Sequence, residues 1–329
     1  MEVIGLHVQF TTPRGVINAV NGVSFTLEKG ETLGIVGETG SGKSVTAFSL
    51  LRLVSNPGRI VGGAIRFEGQ DLLSLSERNM RGIRGREIAM IFQEVMTSLD
   101  PSYTVGDQLR ELLQVHKGHR GREAQAAVID LLTRVRIASP ETVVDRFPHQ
   151  LSGGMRQRVM IGMALACEPR LLIADEPTTA LDTTIQAQIL DLLDDVQSEL
   201  GMAMVFISHD LGVVTRVSDR IAVMYAGRFV EMGDKFQIFD DTLHPYTRGL
   251  LDAIPRSGSK TRPLQPVQGT VPDLHHPPSG CPFHPRCARA EARCEIDLPP
   301  FQEWRPGHWA ACHFAGDFDR SSPSPGEVG

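Results

Sequence analysis

Leu151-Ser152-Gly153-Gly154-Met155-Arg156-Gln157-Arg158 is the segment that most narrows the fold of this chain. It lies between a glycine-rich loop at 37–44 and an apolar strand that ends in two acids at 175 and 176. A phosphate-binding loop alone indicates only that a chain binds a nucleotide. The segment at 151–158 is more specific, because its serine and glycines open an apolar helix whose N-terminus can bind a further anion.

The glycine-rich loop fits the pattern G-x-x-x-x-G-K-[ST] completely. Its residues are Gly37, Glu38, Thr39, Gly40, Ser41, Gly42, Lys43 and Ser44. A predicted strand at 32–36 precedes the loop and a predicted helix at 44–54 follows it, which is the context that this motif requires. The glycines let backbone N–H groups point at the phosphates of ATP. We predict that Lys43 contacts the β- and γ-phosphates and that Ser44 ligates Mg²⁺.

A second apolar strand, predicted at 171–174, ends in Asp175 and Glu176. We predict that Asp175 holds Mg²⁺ directly or through water, and that Glu176 orients or deprotonates the attacking water. Two acids after a strand are more often a solvated turn. Here a phosphate loop stands upstream and Pro177-Thr178-Thr179-Ala180-Leu181-Asp182 follows, so the nucleotide-site interpretation is favoured.

Composition fits a soluble globular protein with one large α/β domain plus an appendage, or with two smaller domains. The chain has 329 residues, of which 41% are hydrophobic and 22% charged. A formal net charge of −6 gives no support for nucleic acid as the main partner. No apolar run approaches the roughly 20 residues that cross a bilayer, and no secretory signal is expected at the N-terminus.

The pattern of apolar residues predicts how the chain is organised. Residues 1–30 alternate apolar and polar side chains, with turn signals at Gly15 and Asn21-Gly22, which predicts a small antiparallel sheet. Further strands are predicted at 64–67, 88–92, 203–207 and 221–225, and further helices at 105–115, 122–136 and 184–200. Because strands alternate with helices, we expect a mostly parallel sheet, interrupted by a helical subdomain at about 95–168.

Taken together, these motifs resemble those of ABC-type ATPases. The resemblance implies an α/β fold with a RecA-like core sheet, an N-terminal antiparallel β-subdomain and the inserted helical subdomain. By matching motif, Gln93 resembles the Q-loop glutamine that contacts Mg²⁺ and water. Asp182 matches the D-loop aspartate at the dimer interface, and His209 matches the switch histidine that contacts the γ-phosphate.

The same resemblance implies a head-to-tail dimer of ATP-binding subunits. Its signature residues would clamp the γ-phosphate held by the other subunit's lysine; here they are Ser152, Gly153, Gly154 and Gln157. Without these other motifs, Ser152 would be an ordinary N-cap. The chain departs from the family at the N-terminal hairpin, where no aromatic residue stands immediately before Gly15. Phe10 or Arg14 is the candidate to stack on adenine.

The C-terminal part narrows the resemblance further. His244-Pro245-Tyr246-Thr247-Arg248-Gly249-Leu250-Leu251 and the later Cys-Pro-x-x-Pro-Arg-Cys at 281–287 resemble the extension of dipeptide/oligopeptide (and nickel) importer ATPases of the D type. This implies an ATPase domain at 1–238 and an extension at 239–329, with a proline-rich linker at 254–280 and a disordered tail at 321–329. A chain of this kind acts at the cytoplasmic face of the membrane.

The resemblance also implies partners: two permease subunits, a second ATP-binding subunit and a solute-binding protein. Peptide uptake is the function that the resemblance favours, and import of nickel or another small solute is the alternative. A different class, a soluble ABC ATPase that acts on a nucleic acid or protein complex, also remains open. The single motif set and the short spacing between Gln93 and Leu151 count against that class.

Four late cysteines form a separate candidate site: Cys281, Cys287, Cys294 and Cys312. Without an export signal, a metal or cluster site is favoured over a disulfide framework. Four thiolates could hold a [4Fe–4S] cluster or Zn²⁺, and the paired C-x2–4-C spacing of structural zinc sites is absent. The family resemblance implies an iron–sulfur cluster, while zinc and no metal remain alternatives. Nearby substitute ligands are His284, His308 and His313.

Overall fold

The computed structural model describes residues 1–93, 98–179, 181–254 and 267–316. The described residues form two compact units. The first comprises Met1–Thr26, Leu33–Leu73 and the part from Ser208 onward, and the second comprises Leu27–Thr32 and Ser74–Ile207. Residues 255–266 of the predicted linker (254–280) and the predicted disordered tail (321–329) lie outside the described residues. No helix within the described ranges is long and apolar enough to span a membrane.

The strands, in chain order, are β1 (Glu2–Thr12), β2 (Gly15–Thr26), β3 (Thr32–Val36), β4 (Gly58–Phe67), β5 (Gln70–Asp71), β6 (Ile88–Ile91), β7 (Leu171–Asp175), β8 (Ala203–Ser208), β9 (Arg220–Tyr225), β10 (Arg228–Asp234), β11 (Gln302–Arg305) and β12 (His308–Ala310).

The α-helices are α1 (Lys43–Leu50), α2 (Glu77–Ile83), α3 (Val105–Lys117), α4 (Gly121–Arg134), α5 (Pro140–Val143), α6 (Gly153–Leu165), α7 (Thr183–Leu200), α8 (Leu211–Val217), α9 (Lys235–Asp240), α10 (Pro245–Asp252) and α11 (Ala292–Ile296). Most predicted bounds lie within two residues of these. Helix α1 is shorter than the predicted 44–54, because the chain turns at Arg52, whose φ is +53°.

The N-terminal antiparallel sheet belongs to the first unit and has the strand order β2-β1-β4-β5. Gly15 lies at the β1–β2 turn, as predicted. The prediction of a turn at Asn21-Gly22 is wrong, because both residues lie within β2. Gly22 has φ +81° next to a shift in the β1–β2 register, so the glycine forms a bulge in a continuous strand.

A second sheet of the first unit has the order β11-β12-β10-β9-β3. Strands β3 and β9 are parallel, and β12 adds antiparallel to β10. The β11–β12 hairpin has no counterpart in the sequence predictions. Its attachment includes a buried pair, since His308 Nε2 lies 2.9 Å from Glu231 Oε1. The Glu231 carboxylate also accepts hydrogen bonds from the backbone N–H groups of Leu243 and His244, so it fixes the chain before α10.

The second unit contains three parallel strands in the order β8-β7-β6. Every residue of β7 and β8 is buried, which explains why both strands read as continuous apolar runs. Helices α3–α6 lie between β6 and β7 in the chain, where the sequence predicts a helical subdomain. Apolar residues at a spacing of four (Val105, Leu109 and Leu113) form the buried face of α3, which packs against α4.

Candidate nucleotide-binding site

The phosphate loop connects the buried strand β3 to helix α1 in the first unit. Gly42 is the N-cap of α1 and has φ +107°; a Cβ there would lie 2.4 Å from the carbonyl oxygen of Ala19. A Cβ at Gly37 would lie 2.1 Å from the carbonyl oxygen of Met224. Both positions therefore require glycine, and the loop leads into the positive end of the α1 dipole.

Lys43 lies over the carbonyl groups of its own loop. Its Nζ donates to the carbonyl oxygens of Gly37 at 2.7 Å and of Glu38 at 3.0 Å, and the residue is 5% exposed. The Oγ of Ser41 is buried and has no hydrogen-bond partner among the described residues. A buried ammonium group and a buried hydroxyl within a glycine-rich loop form the donor set that a phosphate chain requires.

In the second unit, the Glu176 carboxylate contacts one other predicted site residue, Gln93, and also Thr179. Its Oε2 accepts a hydrogen bond from Gln93 Nε2 at 3.2 Å and from Thr179 Oγ1 at 2.8 Å. Glu176 follows the fully buried Asp175 at the end of β7, and its φ is +48°. A left-handed conformation is costly for a residue with a side chain, and such conformations cluster at functional sites. The structure thus brings Gln93, Asp175 and Glu176 together.

The signature segment and the D-loop aspartate also belong to the second unit. Ser152 is the N-cap of α6, where its side chain accepts from the N–H of Met155 at 3.3 Å. Asp182 caps α7 in the same way by accepting from the N–H of Ile185 at 2.9 Å. The two helix starts are close, because a Cβ at Gly154 would lie 2.9 Å from Ile185 Cγ2.

The predicted signature residues differ in exposure. Ser152 and Gly153 are exposed at the start of α6, whereas Gln157 is fully buried and its amide has no hydrogen-bond partner within the described parts of the chain. His209 is exposed in the first unit, directly before Asp210, which caps α8. The signature residues that present themselves at the surface are therefore Ser152 and Gly153.

The two candidates for adenine stacking have different surroundings. The ring of Phe10 packs against the backbone of Gly58, where a Cβ would lie 2.6 Å from its Cε1. Arg14 is exposed at the β1–β2 turn. Of the two, Arg14 has the side chain that packing does not already engage.

The four late cysteines line one small cavity of about 20 Å³, together with His284 and His313. Burial raises the pKa of the Cys281 and Cys312 thiols to about 11, and it also raises the pKa of Cys287. The backbone N–H of Cys281 donates to the carbonyl of Cys294 at 2.8 Å. In the part of the chain that the structure describes, no three His, Cys, Asp or Glu residues have metal-binding geometry.

Sequence reasoning missed two residues that contact the phosphate loop. Tyr246 accepts a hydrogen bond from the backbone N–H of Glu38, and the Arg286 guanidinium pairs with the Glu38 carboxylate. Both lie in the two C-terminal motifs quoted above. The motifs at 244–251 and 281–287 single out Tyr246 and Arg286. Only the tertiary fold, however, brings these two residues into contact with Glu38.

The fold and the residues of both units define an ATP-binding cassette ATPase. A model of the ABC transporter family matches residues 20–179, and a model of the oligopeptide/dipeptide transporter C-terminal region matches residues 230–294. The chain belongs to the family of ABC transporter ATP-binding proteins that carry this C-terminal region.

Relatives and solved structures are similar to the chain over most of its length. The oligopeptide transport ATP-binding protein OppD of Salmonella typhimurium is 49% identical over 95% of this chain and 92% of its own length. The dipeptide transport ATP-binding protein DppD of Bacillus subtilis is 51% identical over 91% of this chain and 90% of its own. The dimeric ATP-binding cassette MJ0796 bound to ADP and Pi has a TM-score of 0.64 at 26% identity, covering 71% of this chain and 98% of that one.

Proposed function

We propose that this protein hydrolyses ATP to energise the uptake of dipeptides or oligopeptides across the cytoplasmic membrane. The observation that carries this proposal is the match of residues 230–294 to the oligopeptide/dipeptide transporter C-terminal region. Relatives named for oligopeptide and dipeptide transport, at about half identity over more than nine-tenths of the chain, support it.

Within this proposal, each predicted site residue has its own role in the binding or hydrolysis of ATP. Lys43 and the loop N–H groups bind the phosphates, and Ser44 and Asp175 hold Mg²⁺ with Gln93. Glu176 is the general base, and its hydrogen bond with Gln93 supports that role. His209 contacts the γ-phosphate. ATP and Mg²⁺ are the ligands that this donor set fits.

The signature residues act on a second subunit. Ser152, Gly153 and Gly154 would contact the γ-phosphate held by a partner subunit, and Asp182 would lie at that interface. The exposed start of α6 and its proximity to the Asp182 cap of α7 support this role. Burial of Gln157 supports a contribution through the packing of α6 rather than through direct contact with ATP.

Membrane partners follow from the transport function. We infer that two permease subunits provide the path, a second ATP-binding subunit completes the dimer, and a solute-binding protein delivers the peptide outside the membrane. The protein would lie peripherally at the cytoplasmic face, with its helical subdomain (predicted at 95–168) on the permeases and no role for nucleic acid. The extension is assigned to 239–329 and the ATPase domain to 1–238.

Uptake by living cells tests the transport function. Cells lacking this gene are expected to lose import of labelled di- and oligopeptides, and the wild-type gene is expected to restore it. A Lys43→Ala gene should not restore uptake, because ATP binding drives the transporter. Unchanged peptide uptake after deletion contradicts the peptide proposal, and a loss of nickel uptake in the same strain would assign the transporter to nickel.

We also propose that the four-cysteine segment holds a [4Fe–4S] cluster. The four thiols that line one cavity supply the number and type of ligands that such a cluster requires. Buried thiols with a raised pKa stay protonated on their own, and a bound metal would deprotonate them. When bound, the cluster would cross-link a segment that has few apolar residues and so stabilise its fold.

Purification without oxygen tests the cluster. The wild-type protein is expected to show visible absorbance and about four irons per chain, the content of a [4Fe–4S] cluster. Cys294→Ser should lose the iron, whereas Cys167→Ser should keep it, since Cys167 lies outside the four-cysteine segment. Stoichiometric zinc without iron would assign the site to zinc, and the absence of both metals would contradict a metal site.

A further inference from the structure

Glu38, the second residue of the phosphate loop, is fixed by side chains from the C-terminal part of the first unit. Its carboxylate oxygens accept hydrogen bonds from both terminal nitrogens of Arg286, at 2.6 Å and 2.9 Å. Its backbone N–H donates to Tyr246 Oη at 2.9 Å. A bidentate arginine–carboxylate pair is among the strongest polar contacts in proteins and fixes geometry as well as charge.

Arg286 is itself held by hydrogen bonds to backbone carbonyls and by two aromatic rings. Its Nε donates to the carbonyl of Gln268 at 2.8 Å, and Nη2 donates to the carbonyl of Val267 at 3.2 Å. The guanidinium lies 5.7 Å from the ring centre of Tyr225 and 5.9 Å from that of Phe283. The side chain is only 4% exposed, so its charge is desolvated and its direction is set before any ligand binds.

The charge on Glu38 creates a problem for a loop that binds a polyanion. An unpaired carboxylate at this position would repel the phosphates of ATP and would be free to rotate toward them. Pairing with Arg286 neutralises the carboxylate and holds it against the guanidinium. Lys43, which donates to the Glu38 carbonyl at 3.0 Å, then provides the charge that the phosphates meet.

We propose that Arg286 is a positioning residue for ATP binding, which acts by fixing and neutralising Glu38 in the phosphate loop. The proposal rests on the proposed function of this loop in binding ATP. Arg286 directly precedes Cys287 in the turn His284–Arg286, so its side chain links the four-cysteine segment to the phosphate loop. Nucleotide binding and order in the segment are therefore coupled, and the coupling is reciprocal.

Binding of a non-hydrolysable ATP analogue with Mg²⁺ to the full-length chain tests the proposal. Arg286→Gln is expected to raise the Kd about tenfold, the effect of losing a charge-assisted contact that shapes the site. Arg286→Lys should raise it roughly threefold, because a lysine keeps the charge but not the bidentate geometry. The double variant Glu38→Gln with Arg286→Gln should recover most of the affinity, since the repelling carboxylate is gone.

A control variant separates positioning from stability. Phe301→Leu loosens the stacked contact with Trp309 and should lower the Tm while leaving the Kd within about twofold of wild type. If Arg286→Gln lowers the Tm but leaves the Kd unchanged, the role is structural and the proposal is overturned. If Arg286→Gln does not fold, an unchanged Kd for Arg286→Lys overturns it. Failure of the wild-type chain to bind the analogue would overturn the proposed function as well.

Discussion

Glu176→Gln is expected to slow ATP hydrolysis at least about 100-fold in the assembled transporter, on the scale of losing a general base. The amide keeps the shape of the side chain and can still accept a hydrogen bond from Thr179, so the loop after β7 should stay folded. It cannot take a proton from water. ATP should still bind, because the phosphate loop is unchanged. Steady-state phosphate release and equilibrium ATP binding measure the two effects separately.

Glu141→Gln serves as the matched control for this prediction. Glu141 is an exposed acid of α5 in the same unit, and its replacement makes the same change in charge. Its hydrolysis rate should stay within about twofold of wild type, as for surface substitutions in general. Near-normal turnover of Glu176→Gln in the assembled complex would remove Glu176 from the role of base.

The contact between Gln93 and Glu176 could be predicted from the sequence motifs only in part. Glu176 was predicted from its place after the strand at 171–174, and Gln93 from its resemblance to a Q-loop glutamine at the end of the strand at 88–92. The structure shows that β6 and β7 are adjacent parallel strands, so their carboxyl ends lie at the same sheet edge and bring the two side chains together. The positive φ of Glu176 could not be inferred, because nothing in the residue type favours it.

Local signals also failed where the tertiary structure overrode them. Asn-Gly is the strongest short turn signal, yet at 21–22 the chain continues as β2, because pairing with β1 on both sides of Gly22 absorbs the irregularity as a bulge. The Arg286–Glu38 pair joins residues 248 positions apart. A motif can mark such an arginine as unusual, but its partner is set by the packing of the C-terminal segment.

The charges around the phosphate loop leave Lys43 as the main positive group that can bind the phosphates. The charge of Arg286 is paired with the Glu38 carboxylate, so it is not available to the phosphates of a nucleotide. Lys43 is buried in the same loop, and its Nζ donates to two loop carbonyls, with which a nucleotide phosphate would compete for the ammonium group. The ammonium group is therefore the charge of the first unit that phosphate binding depends on most.

Lys43→Ala is accordingly expected to weaken MgATP binding by between about 10-fold and 150-fold, the range for a lost charge-assisted hydrogen bond. Lys235→Ala, which removes a partly exposed lysine at the start of α9, should leave the affinity unchanged. Thermal unfolding with and without MgATP measures both, since a ligand stabilises the folded state by an amount that rises with the ratio of its free concentration to its Kd. The wild-type protein and Lys235→Ala should gain stability at an ATP concentration where Lys43→Ala gains none. An equal gain in all three would contradict the assignment of this loop as the phosphate cradle.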